Sequence, residues 1–283
     1  MYRKTALILI LISFFSIDAQ RRSIAMNEFY PQMKQFYAHK KVLVTGGCGF
    51  IGSHIAQTLV DLGAQVTILD NLITGNMQNI KPFKDAVRFI NGTVSDPHIC
   101  LEATEGQEVI FHLAAFISVP QSTENPSLCN QSNVWGTSNL LESARLHDVQ
   151  RFVFSSSAAV YGNTHEPCSE STPHNPQSPY AWSKLIGEHY CKQYAQSPFG
   201  LKTICMRYFN VYGERQNPHA AYAAAVAKFK YFMERNEPVT FFGDGLQTRD
   251  FVPVETVAET NLLLGMLPDE FLTGEVYNVA TGK

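Results

Sequence analysis

The sequence predicts an α/β fold: a doubly wound parallel sheet with a smaller, incomplete region at its C-terminal end. Three observations lead there. Short apolar runs alternate with amphipathic helical runs from residue 41 onward, the pattern of parallel strands joined by crossover helices. The apolar runs are continuous, as in strands covered on both faces. Polar and glycine-rich punctuation falls after the strands, where an open sheet of this kind binds ligands.

Lys41 to Thr45 is the first strand. Gly46, Gly49 and Gly52 follow in a Gly-x-x-Gly-x-x-Gly spacing, and Ile51, Ile55, Leu59, Val60 and Leu62 then repeat along one helical face. Gly63 ends that helix, Gln65 to Leu69 makes a second strand, and Asp70 stands at its carboxyl end. Strand, glycine turn, helix, strand and acid within about thirty residues form the fingerprint of a dinucleotide site. Glycines admit a pyrophosphate to the backbone, and the helix N-terminus offers it free N–H groups and a positive dipole end. Asp70 suits both ribose hydroxyls, and its charge repels a 2′-phosphate, so the expected cofactor is NAD. The polar loop from Asn71 through Thr74 to Gly75 is able to wrap the adenosine ribose.

Ala86 to Ile90 is a third strand, followed by a polar stretch containing Thr93 and Val94. Val109 to Ala115 is a fourth, one long helix covers Ser127 to His147, and Arg151 to Ser155 is a fifth strand. That strand runs into Ser156 and Ser157, and a proline-bearing loop leads to a helix opening Tyr180-Ala-Trp-Ser-Lys184. Four residues apart, Tyr180 and Lys184 share a helix face. An ammonium beside a phenol favours the phenolate, so Lys184 is expected to lower the Tyr180 pKa. Behind a serine cluster in a dinucleotide fold, this pair reads as an acid–base site.

The 283 residues are 45% hydrophobic, enough for a large core. A net charge of −3 supplies no basic field for nucleic acid. Six cysteines are scattered without a Cys-x-x-Cys pair, which reads as reduced packed thiols and no metal site. Residues 1–40 form an N-terminal extension. Arg3, Lys4, the apolar run Ala6 to Phe15 and the small residues after it have the zones of a secretory signal. The run is short for a membrane span, and no membrane partner is required. A cytosolic cofactor, free thiols and the glycosylation acceptor Asn91-Gly92-Thr93 at the cofactor edge favour a cytoplasmic protein with an extended start, Met26 being an alternative one. The secretory pathway is the alternative.

Six ordered motifs across residues 41–283 carry a family resemblance: the glycine turn, His112-Leu-Ala-Ala, Asn133-Val-Trp-Gly-Thr137, the serine cluster, Tyr180 with Lys184, and Arg207-Tyr-Phe-Asn-Val-Tyr-Gly213. Together they resemble the extended short-chain dehydrogenase/reductase family. The last of these, with Glu-Arg-Gln-Asn-Pro218 after it, and Gly243-Asp-Gly-Leu-Gln-Thr-Arg-Asp-Phe251 resemble its nucleotide-sugar 4-epimerases, and Glu214 to Ala224 its UDP-N-acetylglucosamine 4-epimerases.

The resemblance implies a Rossmann domain over residues 41–206 and a truncated nucleotide-sugar domain over 207–283. It implies that Tyr180 is the general base and acid, tuned by Lys184, which also bridges the nicotinamide ribose. Ser157, with Ser156 beside it, would hydrogen-bond the reacting hydroxyl. Phe50 and Ile51 would present backbone to the pyrophosphate, Leu113, Ala114 and Ala115 would line the cofactor, and Ser132 and Tyr208 would touch its far parts. Asn210, Phe242 and Arg249 would hold the UDP, and Ser118 would contact the sugar. Arg249 reads alternatively as an ion-pair partner of Asp250, and Phe242 as core. The implied reaction oxidises the sugar at C4 on tightly bound NAD, turns the 4-keto intermediate, and returns the hydride to its other face. A homodimer through the helices Ser127–His147 and Tyr180–Ser197 is also implied.

Members that dehydrate or decarboxylate their sugars resemble Thr-Asp-Glu or Thr-Ser-Glu after the fifth strand. Here Ser157-Ala158-Ala159 stands in that place, and neither alanine can carry a proton. Two departures from the family remain. Thr93 replaces the usual aspartate acceptor for the adenine amine, leaving its hydroxyl or Asp96 to substitute. The chain also stops at Lys283, before the elements that would complete a sugar site. That stop leaves two expectations, a fragment of a working epimerase or a cofactor-binding remnant without turnover.

Overall fold

The computed structural model describes residues 29–164, 166–196, 198–217, 225–239 and 244–282. A seven-stranded, wholly parallel sheet forms the centre, in the order β3-β2-β1-β4-β5-β6-β9. Its strands are β1 Lys41–Thr45, β2 Gln65–Asp70, β3 Val87–Asn91, β4 Val109–His112, β5 Arg151–Ser157, β6 Lys202–Tyr208 and β9 Thr273–Val279. The order turns back on either side of β1 and β4, so the crevice outside their carboxyl ends is the ligand position of this architecture. A separate two-stranded pairing joins β7 Asn210–Tyr212 to β8 Phe251–Pro253.

Apolar side chains fill both faces. On one, Val42, Val44, Ile68 and Phe111 of the sheet meet Ile55 and Leu59 of helix α1, Phe50–Asp61. On the other, Leu43, Ile110, Phe152 and Phe154 meet Leu140, Leu141 and Cys191. Helix α1 stops where Gly63 turns left-handed at φ +85, with Ala64 N–H returning to the Leu59 carbonyl at 3.0 Å. Helix α2, Pro97–Thr104, begins at Asp96, whose carboxylate accepts from His98 N–H at 2.9 Å. Five of the six cysteines are buried, and all six are free thiols.

Three sequence expectations are corrected. The helix expected over Ser127–His147 is interrupted: Pro126–Asn130 (α4) and Gly136–Leu146 (α5) are joined by a π turn at Gln131–Trp135. Residues 29–37 of the expected N-terminal extension are helical and bury Phe29, Met33 and Tyr37 in the core. The Tyr37 hydroxyl donates to the Leu262 carbonyl at 2.7 Å. The division after residue 206 is not a structural break, because helix Val254–Gly265 (α8) packs on α1 and β9 pairs with β6. Leu262, Leu263 and Val279 carry that segment back to the main sheet by burying apolar surface. Residues 1–28 lie outside the described part. Among the described residues, no helix is long and apolar enough to cross a membrane.

Candidate active site

A cleft of about 950 Å³ opens at the carboxyl ends of β1, β2, β4 and β5. All the cofactor candidates lie on its wall: Gly46, Gly49, Phe50, Ile51, Gly52, Asp70, Asn71, Thr74, Gly75, Thr93, Val94, Leu113, Ala114, Ala115, Ser132, Tyr180, Lys184 and Tyr208.

The turn after β1 fits a bound pyrophosphate. Gly46 has φ +68, and a Cβ there would meet Ala114 N at 2.8 Å. A Cβ on Gly52 would lie 2.2 Å from the Gly46 carbonyl oxygen. Gly49 caps α1 without a side-chain bond, which leaves the helix N–H groups to a ligand. Asp70 is held in place: Oδ2 accepts from Cys48 N–H at 2.9 Å and Oδ1 from Leu72 N–H at 2.8 Å. Burial pushes its carboxyl above the usual range, against the pull of those two bonds. Thr93 Oγ1 accepts from Ser95 N–H at 3.2 Å. Asp96, the alternative acceptor for an adenine amine, is committed to capping α2.

Helix α6, Pro179–Ala195, starts at Ser178, whose hydroxyl accepts from Ala181 N–H at 3.1 Å. Tyr180 therefore stands in the first turn, and its N–H donates to Ser122 Oγ at 3.2 Å. Lys184 Nζ donates to the Ser155 carbonyl at 2.7 Å and lies 6.0 Å from the Tyr180 ring centre. Burial brings the Lys184 pKa down to about 8. The expectation that Lys184 depresses the Tyr180 pKa is corrected here. Burial raises the phenol, and the opposing contribution comes from a hydrogen bond with Ser157.

The two serines differ. Ser157 accepts from Ala159 N–H at 3.2 Å and draws the Tyr180 phenol down against its burial. Ser156 lines the cleft, but its hydroxyl donates to Glu188 Oε1 at 2.5 Å. Glu188 is itself paired with Arg207 Nη2 at 2.7 Å, deep in the protein. Arg207 also donates to the Tyr161 hydroxyl at 2.8 Å and to His174 at 2.6 Å. Ser156 thus ties β5 to a buried ion pair, and with its proton given to Glu188 its hydroxyl oxygen can still accept from a ligand in the cleft, whereas Ser157 is not among the residues that line it.

The sugar side is less complete. Ser118 lines the cleft and caps the short helix Val119–Glu124, accepting from Gln121 N–H at 3.4 Å. Asn210 donates to the Asp250 carbonyl at 2.8 Å, and it does not line this cleft. Arg249 is exposed and donates to the Thr248 carbonyl at 2.7 Å. The alternative pairing with Asp250 is not formed, since that carboxylate accepts from Thr281 N–H, Thr281 Oγ1 and Gly282 N–H. Phe242 lies outside the described residues. Arg215 and Gln216 line the cleft without having been foreseen as site residues. Arg215 has φ +65, its Nη2 donates to Gln57, and its Nη1 is buried without a partner among the described residues. The motif containing them was visible, but nothing in the spacing pointed Arg215 at the cleft.

The family model described as "NAD dependent epimerase/dehydratase family" matches residues 42–280. The chain belongs to that family. It is 38% identical over 247 residues to the UDP-glucose 4-epimerase of Mycolicibacterium smegmatis, covering 86% of this chain and 77% of that one. The structure of a UDP-N-acetylglucosamine 4-epimerase from Methanobrevibacter ruminantium, in complex with UDP-N-acetylmuramic acid, superimposes with TM-score 0.80 at 39% identity. That match covers 87% of this chain and 78% of the other. The UDP-glucose 4-epimerase of Thermus thermophilus, solved in complex with NAD, gives TM-score 0.76 at 39% identity over 85% of this chain and 77% of the other. The epimerase/dehydratase family also holds members named for sugar decarboxylation and dehydration. NAD is the family's cofactor, and the glycine turn, the uncapped α1 N-terminus and Asp70 fit it.

Proposed function

We propose that this chain is a 4-epimerase of a UDP-hexose or UDP-N-acetylhexosamine. One observation carries the choice over dehydration or decarboxylation. Among the described residues, the only carboxylate on the cleft wall is Asp70, three strands away from the β5 serines and bonded to two backbone N–H groups. Elimination or decarboxylation chemistry at the sugar needs a proton-carrying group near Ser157, and Ala158 and Ala159 supply none.

When bound, the nicotinamide supplies a reversible acceptor for the hydrogen on C4 of the sugar. Tyr180 takes the proton of the 4-hydroxyl and later returns it. Ser157 lowers the Tyr180 phenol against its burial, which eases formation of the phenolate, and would orient the reacting oxygen. Lys184, bonded to the Ser155 carbonyl, keeps a positive charge within reach of the same ring. Arg249 and Asn210 would hold the diphosphate, Arg249 through its planar fork. The exposed Trp135 and Trp182 offer the apolar surface through which two copies would pair.

The test is incubation of the purified protein with UDP-N-acetylglucosamine and with UDP-glucose, without added NAD, followed by sugar-resolving chromatography. Conversion to the galacto epimer is expected, and Tyr180→Phe should lower kcat by about 1,000-fold while leaving the fold intact. No conversion by folded protein, even with NAD supplied, would overturn the assignment.

A further inference from the structure

The two motifs that no catalytic role absorbs, at His112 and at Asn133 to Thr137, meet in one buried hydrogen-bond chain. Its polarity can be read link by link. Ala114 N–H donates to Thr45 Oγ1 at 3.2 Å, and Thr45 Oγ1 lies 2.7 Å from His112 Nδ1. His112 Nε2 lies 2.9 Å from Thr137 Oγ1, and that hydroxyl donates to the Asn133 carbonyl at 2.6 Å. The Thr137 proton is therefore spent, so His112 Nε2 must be the donor and His112 Nδ1 the acceptor of the Thr45 proton. His112 is held as the neutral Nε2–H tautomer. Burial, with the charge of Lys184 as a lesser cause, brings its pKa down to about 3.

The chain continues to the catalytic helix. Asn133 clamps the β4 exit at two points, accepting from Phe116 N–H at 2.6 Å and donating to the Phe116 carbonyl at 2.9 Å. It also donates to Ser183 Oγ at 2.9 Å, and Ser183 Oγ donates to the Tyr180 carbonyl at 2.7 Å. Asn133 and the cleft-lining Ser132 sit in the π turn, a local widening that recurs at functional sites. One end of the chain is thus a backbone amide on the cofactor wall, and the other is the first-turn carbonyl of the acid–base residue. His112 itself touches no ligand-facing surface; it is buried between the rings of Phe152 and Phe154, each 5.8 Å away.

We propose that His112 is a positioning residue that, through Thr137 and Asn133, holds Tyr180 in register with the backbone of Ala114 to Phe116 on the dinucleotide wall. The inference rests on the reading of Tyr180 as the acid–base group. The links through Thr45, His112, Thr137 and Ser183 to Asn133 are buried and the two ends are part-buried, so loss of an inner link strands a donor or an acceptor and the chain transmits position rather than merely filling space.

Thr137→Val keeps the shape and removes the hydroxyl that both accepts from His112 and donates to Asn133. In the full chain with its dinucleotide bound, kcat is expected to fall about ten-fold or more while KM for the UDP-sugar stays within about two-fold, as for a misplaced catalytic group. Thr137→Ser restores the hydroxyl and should restore kcat to within about two-fold of the parent. A folded Thr137→Val protein with unchanged kcat, or a Thr137→Ser protein as impaired as the valine variant, overturns the proposal. If Thr137→Val does not fold, Ser183→Ala carries the same test at the other end, and unchanged kcat there overturns it. If the parent itself has no turnover, the acid–base reading fails separately, and positioning is then read from NAD release. Release should be about three-fold or more faster from Thr137→Val than from the parent, and equal release overturns the proposal.

Discussion

In the half of the cleft built by β1, β2 and β4, the carboxylate on the wall is already engaged, and a hydrogen-bond chain backs that wall from behind. Asp70 holds two backbone N–H groups, and Thr45 and His112 belong to one buried chain. The side that carries residues 215–217, with Arg249 off the cleft wall, is looser. Arg249 reaches only the neighbouring Thr248 carbonyl, and Arg215 leaves an N–H without a partner. The contrast matches the two jobs of the proposed enzyme. A cofactor that is recycled in place gains from a wall pre-formed before binding, whereas a substrate that must enter, turn and leave needs groups that can change partners.

Gly52→Ala is the most severe way to break the pre-formed half. The new Cβ would meet the Gly46 carbonyl oxygen at 2.2 Å, a backbone atom that cannot move aside. The variant should be purified without bound dinucleotide, as read by the absorbance of the denatured supernatant. Glu188→Ala comes next. It leaves Arg207 buried and uncompensated, and it should lower unfolding free energy by about 3–5 kcal/mol in denaturant titration. Unchanged stability would mean that the ion pair does not anchor β5 as described.

On the other side of the comparison, Arg249→Ala should leave the unfolding free energy within about 0.5 kcal/mol of the parent, because the side chain is exposed. It should raise KM for the UDP-sugar by about ten-fold if the guanidinium closes on the diphosphate. Equal KM in the variant would remove Arg249 from the substrate wall. A pH slope tests the pre-formed half once more. The Lys184 pKa in the folded protein is about 8 against an ordinary 10.5, so between those values the folded state binds fewer protons than the unfolded one. Stability contributed at this site therefore rises as pH increases through that window, and Lys184→Met should flatten the rise in chemical denaturation.

What the sequence by itself determined was the local part. Strand, glycine turn, helix and acid lie within about thirty residues, and each is dictated by backbone sterics or by a periodicity that neighbours enforce. For the same reason Tyr180 and Lys184 could be placed on one helix face before any tertiary contact was known. What only the tertiary structure decided came from long-range burial. Tyr180 has its pKa raised, not lowered, because desolvation outweighs the opposing contribution from Ser157, while Lys184 turns to the Ser155 carbonyl. Ser156 and Ser157 are adjacent in sequence yet have opposite commitments, since Glu188 arrives from α6 to claim one of them. β9 and α8 return to the first sheet, where apolar area decides membership irrespective of position along the chain. The π turn that brings Asn133 to both Phe116 and Ser183 left no trace in helical periodicity, because one widened turn costs a single step of register and is selected by the partners it meets.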